Sequence, residues 1–311
     1  MKKIAFLFPG QGSQIIGMGR DLYNEYGFVR EIFEMTNDTA KANISKLCFE
    51  GPMEELTLTV NLQPAIMAVN LACLAMLEKN GISPAVVAGH SLGEYSALCA
   101  AKVLSVDGAI KAVFHRGNLM HRESVKHKGA MHAIVGLSID KVKRITDQAR
   151  DAGAVAVANH NTAEQVVITG EPEAVRRASE LAGQQGGKSI PLQVSGAWHS
   201  ELIRGAQEEF AALLDDILFD TPSVPVVFNV TADVESNPAK IRNLMVQQLC
   251  SSVRWYEIIG KMQEQEIEVF VEVGPKRVLS GMLKKIIPSV YPYKAYNVDG
   301  LSGLEAFLKQ V

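Results

Sequence analysis

Gly89-His90-Ser91-Leu92-Gly93 stands directly after the apolar run 84–88 and directly before the small, helix-compatible run 92–101. Few arrangements satisfy all three pieces. A short, wholly apolar strand has to be buried on both faces, which calls for a parallel sheet beneath helices. The turn after it must be tight, and two glycines remove Cβ atoms that would obstruct it. A serine at the apex of a strand–turn–helix unit projects its hydroxyl at the helix mouth. Free N–H groups and a partial positive charge there favour a developing oxyanion. Ser91 is therefore a candidate nucleophile, with a serine N-cap in an ordinary turn as the structural alternative.

The rest of the chain repeats this grammar. Residues 4–8 form a second apolar strand, stopped by Pro9-Gly10 and followed by a tight turn over 10–14. Ile66, Val69, Leu71, Leu74 and Leu77 recur mainly three residues apart, so 63–78 reads as a buried helix. Residues 131–137, 154–158, 165–169 and 189–194 read as strands, with helices over 138–152 and 171–185. That order, βαββαβ, is the ferredoxin-like pattern. Strands over 224–230 and 268–273 and a helix over 303–309 follow. The expected architecture is a large α/β-hydrolase-like domain with a mainly parallel sheet, built from residues 1–125 and 196–311. A small ferredoxin-like subdomain is inserted at 126–195.

Composition narrows the setting. Hydrophobic residues make up 47% and charged residues 21% of 311, enough for a real core, and the net charge of −3 offers no case for nucleic-acid binding. Cys48, Cys73, Cys99 and Cys250 show neither CxxC spacing nor paired histidines, which argues against a zinc site or a disulfide framework. The apolar start ends at Pro9-Gly10-Gln11-Gly12, too short for a secretory signal. No later stretch reaches the roughly 18 uninterrupted apolar residues of a membrane span. A cytoplasmic protein without membrane attachment is expected.

A nucleophilic serine needs a base. His90 adjoins Ser91 and should point the other way. His199, in Ser195-Gly196-Ala197-Trp198-His199-Ser200, lies where the chain leaves the inserted pattern, and a loop there can reach the main sheet. The residues alone leave it one of several histidines, and they mark no aspartate as a third member.

Several runs then occur together and in order: Phe8-Pro9-Gly10-Gln11-Gly12-Ser13-Gln14, Gln63-Pro64-Ala65, Gly89 to Glu94, Gly129-Ala130-Met131 and Gln165 to Gly170. Gly196 to Ser200, Asn229-Val230-Thr231-Ala232 and Glu272-Val273-Gly274-Pro275 complete the set. Over about residues 4–290 the chain resembles the malonyl-CoA:acyl carrier protein transacylases of bacterial fatty-acid synthesis, and is similar to polyketide synthase acyltransferase domains. The resemblance implies Ser91 as nucleophile and His199 as its general base and acid. It implies the backbone N–H groups of Gln11 and Leu92 as oxyanion hole, and Gln248 as orienter of the imidazole through its side chain or neighbouring backbone. Arg116 would bind the malonyl carboxylate, with Gln63, Asn159 and Asn161 near the pocket. The substrates implied are malonyl-CoA and holo acyl carrier protein, with no metal or redox cofactor, and a monomer is implied.

Three positions depart from the family pattern. Trp198 stands where malonyl-selective relatives carry Phe, and as a flat wall it should still crowd an α-methyl group. His132 follows Gly129-Ala130-Met131 where a small residue is usual, and a lone histidine on a strand reads as structural. Glu201 replaces a common proline at a helix start. Arg116, Lys188, Lys276, Arg277, Lys284 and Lys285 are candidates for meeting an acidic carrier. The rival readings are a trans-acting polyketide acyltransferase, a serine esterase or thioesterase, and a non-catalytic carrier-docking module. The common hydrolases place an acid between Ser and His and carry an HGGG-type loop, and neither is evident here.

Overall fold

The structure is a computed structural model that describes residues 2–310. Eight strands run through the described residues: β1 (Ile4–Phe8), β2 (Val86–Gly89), β3 (Ala130–Val135), β4 (Val155–Thr162), β5 (Gln165–Gly170), β6 (Lys188–Pro191), β7 (Val269–Val273) and β8 (Lys294–Val298). They form two four-stranded sheets, ordered β2-β1-β7-β8 and β4-β5-β3-β6. Every neighbouring pair in the first is parallel. Successive side chains leave a strand on opposite faces. Phe6, Phe8, Val87 and Val271 accordingly join one core with the helix Thr59–Lys79. Ala5, Leu7, Val86, Ala88 and Phe270 pack on the other face, under the helices Trp255–Glu264 and Val278–Ile286. Burial on both faces is why these strands read as unbroken apolar runs.

Thr59–Lys79 is apolar around its whole circumference and nearly all buried. By length and composition it passes for a membrane span, yet 83% of its apolar window is enclosed by the fold. A helix of that kind is the centre of a core.

The second sheet is antiparallel throughout. Its element order is β3, helix Ile139–Ala149, β4, β5, helix Pro172–Gln184, β6, the βαββαβ order read from the sequence. Ile134, Val155, Val166 and Ile168 pack on Val142, Ile145, Val175 and Ala178 of those two helices. Its other face carries Met131, Ala133, Ala158 and Val167 into the same core as Phe6 and Phe8. The two sheets thus share one apolar interior.

Two expected strands are corrected. Residues 224–230 contribute only the isolated bridges Val87↔Val226 and Val227↔Val234. Val87 bonds the Pro225 carbonyl at 2.9 Å and the Val227 N–H at 3.0 Å, but Pro222 and Pro225 supply no N–H, and the chain turns at once, with Ala232 at φ 54°. β6 stops at Pro191 rather than 194; Leu192 and Val194 line a pocket instead. β8 was not expected, because its Lys294 and Ala295 are exposed and give no apolar run.

Candidate active site

β2 ends at Gly89, and the helix Gly93–Ala100 starts four residues later. A Cβ on Gly89 would lie 1.9 Å from the Gly93 carbonyl carbon, and one on Gly93 would lie 2.0 Å from the Phe8 oxygen. Close packing therefore demands both glycines. Ser91 sits between them at φ 52°, a left-handed conformation that costs an ordinary residue about 1–2 kcal/mol. Asn229 staples it there. The Ser91 N–H donates to Asn229 Oδ1 at 2.7 Å, and Asn229 Nδ2 donates to the Gly89 carbonyl at 2.7 Å. The serine's own N–H is thus occupied. The backbone N–H groups of Gln11 and Leu92 donate to no acceptor among the described residues, and both residues line the pocket in front of Ser91.

Ser91 Oγ lies 2.8 Å from His199 Nε2. On the far side of the ring, Nδ1 is 2.9 Å from the Gln248 carbonyl oxygen and 3.0 Å from that of Ser251. Carbonyls only accept, so Nδ1 carries the proton and Nε2 offers its lone pair to the hydroxyl. Burial, and then the nearby Arg116 charge, push the imidazole down to about 3. The imidazole is neutral and is oriented by two backbone carbonyls rather than a carboxylate. Its loop lies close against the chain, for a Cβ on Gly129 would come within 2.4 Å of the Ala197 nitrogen.

Arg116 extends from the helix Val106–Lys126 and is only 1% exposed. Nη1 donates to Gln63 Oε1 at 2.9 Å, and Nη2 donates to Gln248 Oε1 at 3.0 Å and Ser91 Oγ at 3.1 Å. All three acceptors are neutral, and Nε has no partner. Gly117 allows the approach, since a Cβ there would stand 3.1 Å from the Thr59 oxygen and 3.5 Å from Gln63. The Gln248 side chain bonds the Ser91 carbonyl at 2.9 Å and the Glu94 carboxyl. Burial pushes Glu94 up to about 8 against the pull of the Asn229 and Gln248 N–H groups and the Arg116 charge.

These groups surround a cavity of about 100 Å³. The second sheet closes it with Met131 and Asn159, and Trp198 forms a wall, buried to 4% exposure. Asn161 does not line the cavity; its Oδ1 is 3.0 Å from His90 Nε2. His90 borders the cavity, while its ring turns from Ser91 toward Asn161 and lies edge-on to Trp255, with 5.5 Å between ring centroids. Arg116 is too deep to belong to a carrier-facing surface, whereas Lys188, Lys276, Arg277, Lys284 and Lys285 are exposed. His132 Nδ1 meets Ser179 Oγ at 2.9 Å and Ser189 Oγ at 3.0 Å, tying strand to helix outside the site. Glu201 opens a short 3-10 helix, Glu201–Ala206. Among the described residues no group of His, Cys, Asp and Glu is placed to hold a metal ion.

Sequence reasoning gave no role to Glu94, Asn229 or Ser251. The first two stand inside runs that carried the family resemblance, and a buried polar residue in an apolar run was the available signal. Ser251 acts through its carbonyl, which leaves no side-chain signature.

The chain matches the acyl transferase domain family over residues 5–303. It is 45% identical to the malonyl CoA-acyl carrier protein transacylase of Bacillus subtilis strain 168, over 92% of this chain and 91% of that protein. An acyl carrier protein S-malonyltransferase from Vibrio cholerae superposes with a TM-score of 0.92 at 38% identity, covering 98% of this chain and 99% of the other. A malonyl-transacylase solved in complex with its type II polyketide synthase acyl-carrier protein gives 0.94 at 37% identity, covering 99% and 100%. Near-complete overlap in sequence and in fold leads to one conclusion: the chain belongs to the malonyl-CoA:acyl carrier protein transacylase family.

Proposed function

We propose that this protein carries a malonyl group from malonyl-CoA to the phosphopantetheine thiol of holo acyl carrier protein, through an ester on Ser91, and so supplies fatty-acid chain elongation. One observation carries the reading. A buried guanidinium bonded only to neutral oxygens stands 3.1 Å from a hydroxyl that a neutral imidazole approaches at 2.8 Å.

His199 Nε2 takes the Ser91 proton as Oγ attacks the thioester carbonyl. The oxyanion falls to the Gln11 and Leu92 N–H groups, and losing one such donor costs roughly 10²–10³ in rate. The imidazolium returns its proton to the departing coenzyme A sulfur. The carrier's thiol then runs the same steps backwards, giving its proton to His199, attacking the malonyl ester and releasing Ser91. Arg116 grips the free carboxylate in a charge-assisted contact worth about 1.5–3 kcal/mol. That grip holds the acyl chain in a cavity with little room for water, whose attack is the competing outcome. Trp198 crowds an α-methyl substituent, a discrimination of about 10–200-fold for one methyl group. The cycle draws on no metal or redox cofactor.

The same reading divides the chain into a large α/β-hydrolase-like domain (1–125 and 196–311) and an inserted ferredoxin-like subdomain (126–195). The sheet order β4-β5-β3-β6 supports the second name. Four free cysteines suit a reducing, cytoplasmic setting, and a single chain supplies every group the cycle uses. Likeness to a transacylase solved with a polyketide carrier makes a polyketide carrier the second reading.

The test is intact-protein mass spectrometry after mixing with malonyl-CoA and then with holo carrier protein. A malonyl adduct absent from Ser91→Ala and passed to the carrier is expected. An adduct that decays to free malonate while the carrier stays bare would make the protein a hydrolase.

A further inference from the structure

We propose that Glu94 is a positioning residue: through the Gln248 amide it sets the acceptor that Arg116 meets, and so readies the guanidinium for the carboxylate of the acyl group. The proposal rests on the malonyl-transfer reading above.

Glu94 lies in the first turn of the helix Gly93–Ala100, 1% exposed, and bonds neither the nucleophile's hydroxyl nor the base. Its Oε1 accepts the Asn229 N–H at 2.6 Å, and its Oε2 accepts from Gln248 Nε2. The second hydrogen of that amide nitrogen goes to the Ser91 carbonyl at 2.9 Å. With two acceptors on one side, Gln248 must turn Oε1 the other way, where Arg116 Nη2 meets it at 3.0 Å. The two ends of an amide are nearly the same size, so packing cannot choose between them; the surrounding donors and acceptors do.

Reversing the amide would set donor against donor at Arg116 and lone pair against lone pair at Ser91 and Glu94. Burial alone would protonate Glu94 at neutral pH, but its partners, the Asn229 N–H and the Gln248 NH₂, are both donors, and that geometry calls for the carboxylate. Charge balance agrees: the buried carboxylate and the buried guanidinium compensate one another across a single amide. An incoming carboxylate therefore meets an Arg116 whose two terminal nitrogens are already aimed by Gln248 and Gln63.

Glu94→Gln keeps the shape but puts a second NH₂ against the Gln248 amide. Rapid-quench acylation of Ser91 by malonyl-CoA and by acetyl-CoA, read by intact mass, separates half-saturation from limiting rate for each donor. The expected result is a rise of about tenfold or more in the malonyl-CoA half-saturation constant, with acetyl-CoA acylation changed less than about threefold. In an Arg116→Ala background the same substitution should leave the malonyl-to-acetyl preference where Arg116→Ala alone puts it. Equal loss with both donors would mean that Glu94 only supports the elbow through Asn229, and would overturn the proposal; so would no change with either. Should Glu94→Gln fail to fold by circular dichroism, Gln248→Leu cuts the same link while keeping the carbonyl that holds His199. An unaltered malonyl preference in that variant would also overturn it. A wild-type protein that accepts acyl groups from no acyl-CoA would instead bring down the transfer reading, and this one with it.

Discussion

At the scale of single residues the site inverts the usual arrangement of a serine nucleophile. Its histidine meets two carbonyls at Nδ1 in place of a carboxylate, and it feels the charge of a guanidinium, of the same sign as an imidazolium. Both features favour the neutral ring, as does burial. A base held near 3 keeps its lone pair across the whole range in which a free histidine titrates. Acylation by acetyl-CoA, whose acyl group carries no charge, should therefore stay level between pH 8 and pH 5 in single-turnover experiments. Titration at an ordinary value of about 6.5 would instead cut the rate roughly 30-fold at pH 5. The acid that hydrolases place between Ser and His is absent for a physical reason: orientation comes from the carbonyls of Gln248 and Ser251, which fix the tautomer without adding charge. Any residue type has a carbonyl, so sequence reasoning could name Gln248 only through resemblance and could not name Ser251.

At the scale of elements, the glycines separate packing from conformation. Gly93 meets the Phe8 backbone, which cannot retreat without disturbing β1. Gly93→Ala should cost about 3 kcal/mol, the upper end for overpacking, read as a lower midpoint in urea denaturation with unchanged slope. Gly260 lies within the helix Trp255–Glu264, and a Cβ there would meet nothing within 4 Å. Gly260→Ala should stabilise by about 0.5–1 kcal/mol in the same assay. Strands buried on both faces were legible because their apolar runs are unbroken, and the helix Thr59–Lys79 because Ile66, Val69, Leu71, Leu74 and Leu77 recur along it. The helix Val106–Lys126, which carries Arg116, mixes charges with apolar residues and drew no assignment of its own. Residues 224–230 misled in the opposite direction: an apolar run was read as a strand although Pro225 has no N–H to give a ladder.

At the scale of the whole molecule, two sheets are built around a shared interior. Met131, Ala133, Ala158 and Val167 leave the second sheet on the side facing the main core, so separating the sheets would expose apolar surface on both. Equilibrium unfolding in urea should accordingly follow one transition, with tryptophan fluorescence and far-UV circular dichroism coincident. Two resolved steps would mean that the halves melt independently. The shared interior also explains why the cavity forms where it does. Ser91 and Arg116 come from the main body and Met131 and Asn159 from the second sheet, while Trp198 and His199 lie on the chain that returns between them.

What the sequence determined by itself follows from local physics. Burial on two faces writes apolar runs, a tight elbow writes glycines on either side of Ser91, and the βαββαβ order is written in alternating periodicities. Tertiary structure decided the rest. The partners of Ser91 lie 25, 108, 138 and 157 positions away, as Arg116, His199, Asn229 and Gln248. Whether Arg116 is a surface ion pair or a buried grip, and whether Gln248 acts by side chain or carbonyl, depends on which groups burial brings within hydrogen-bond reach. Spacing along a chain carries no record of that.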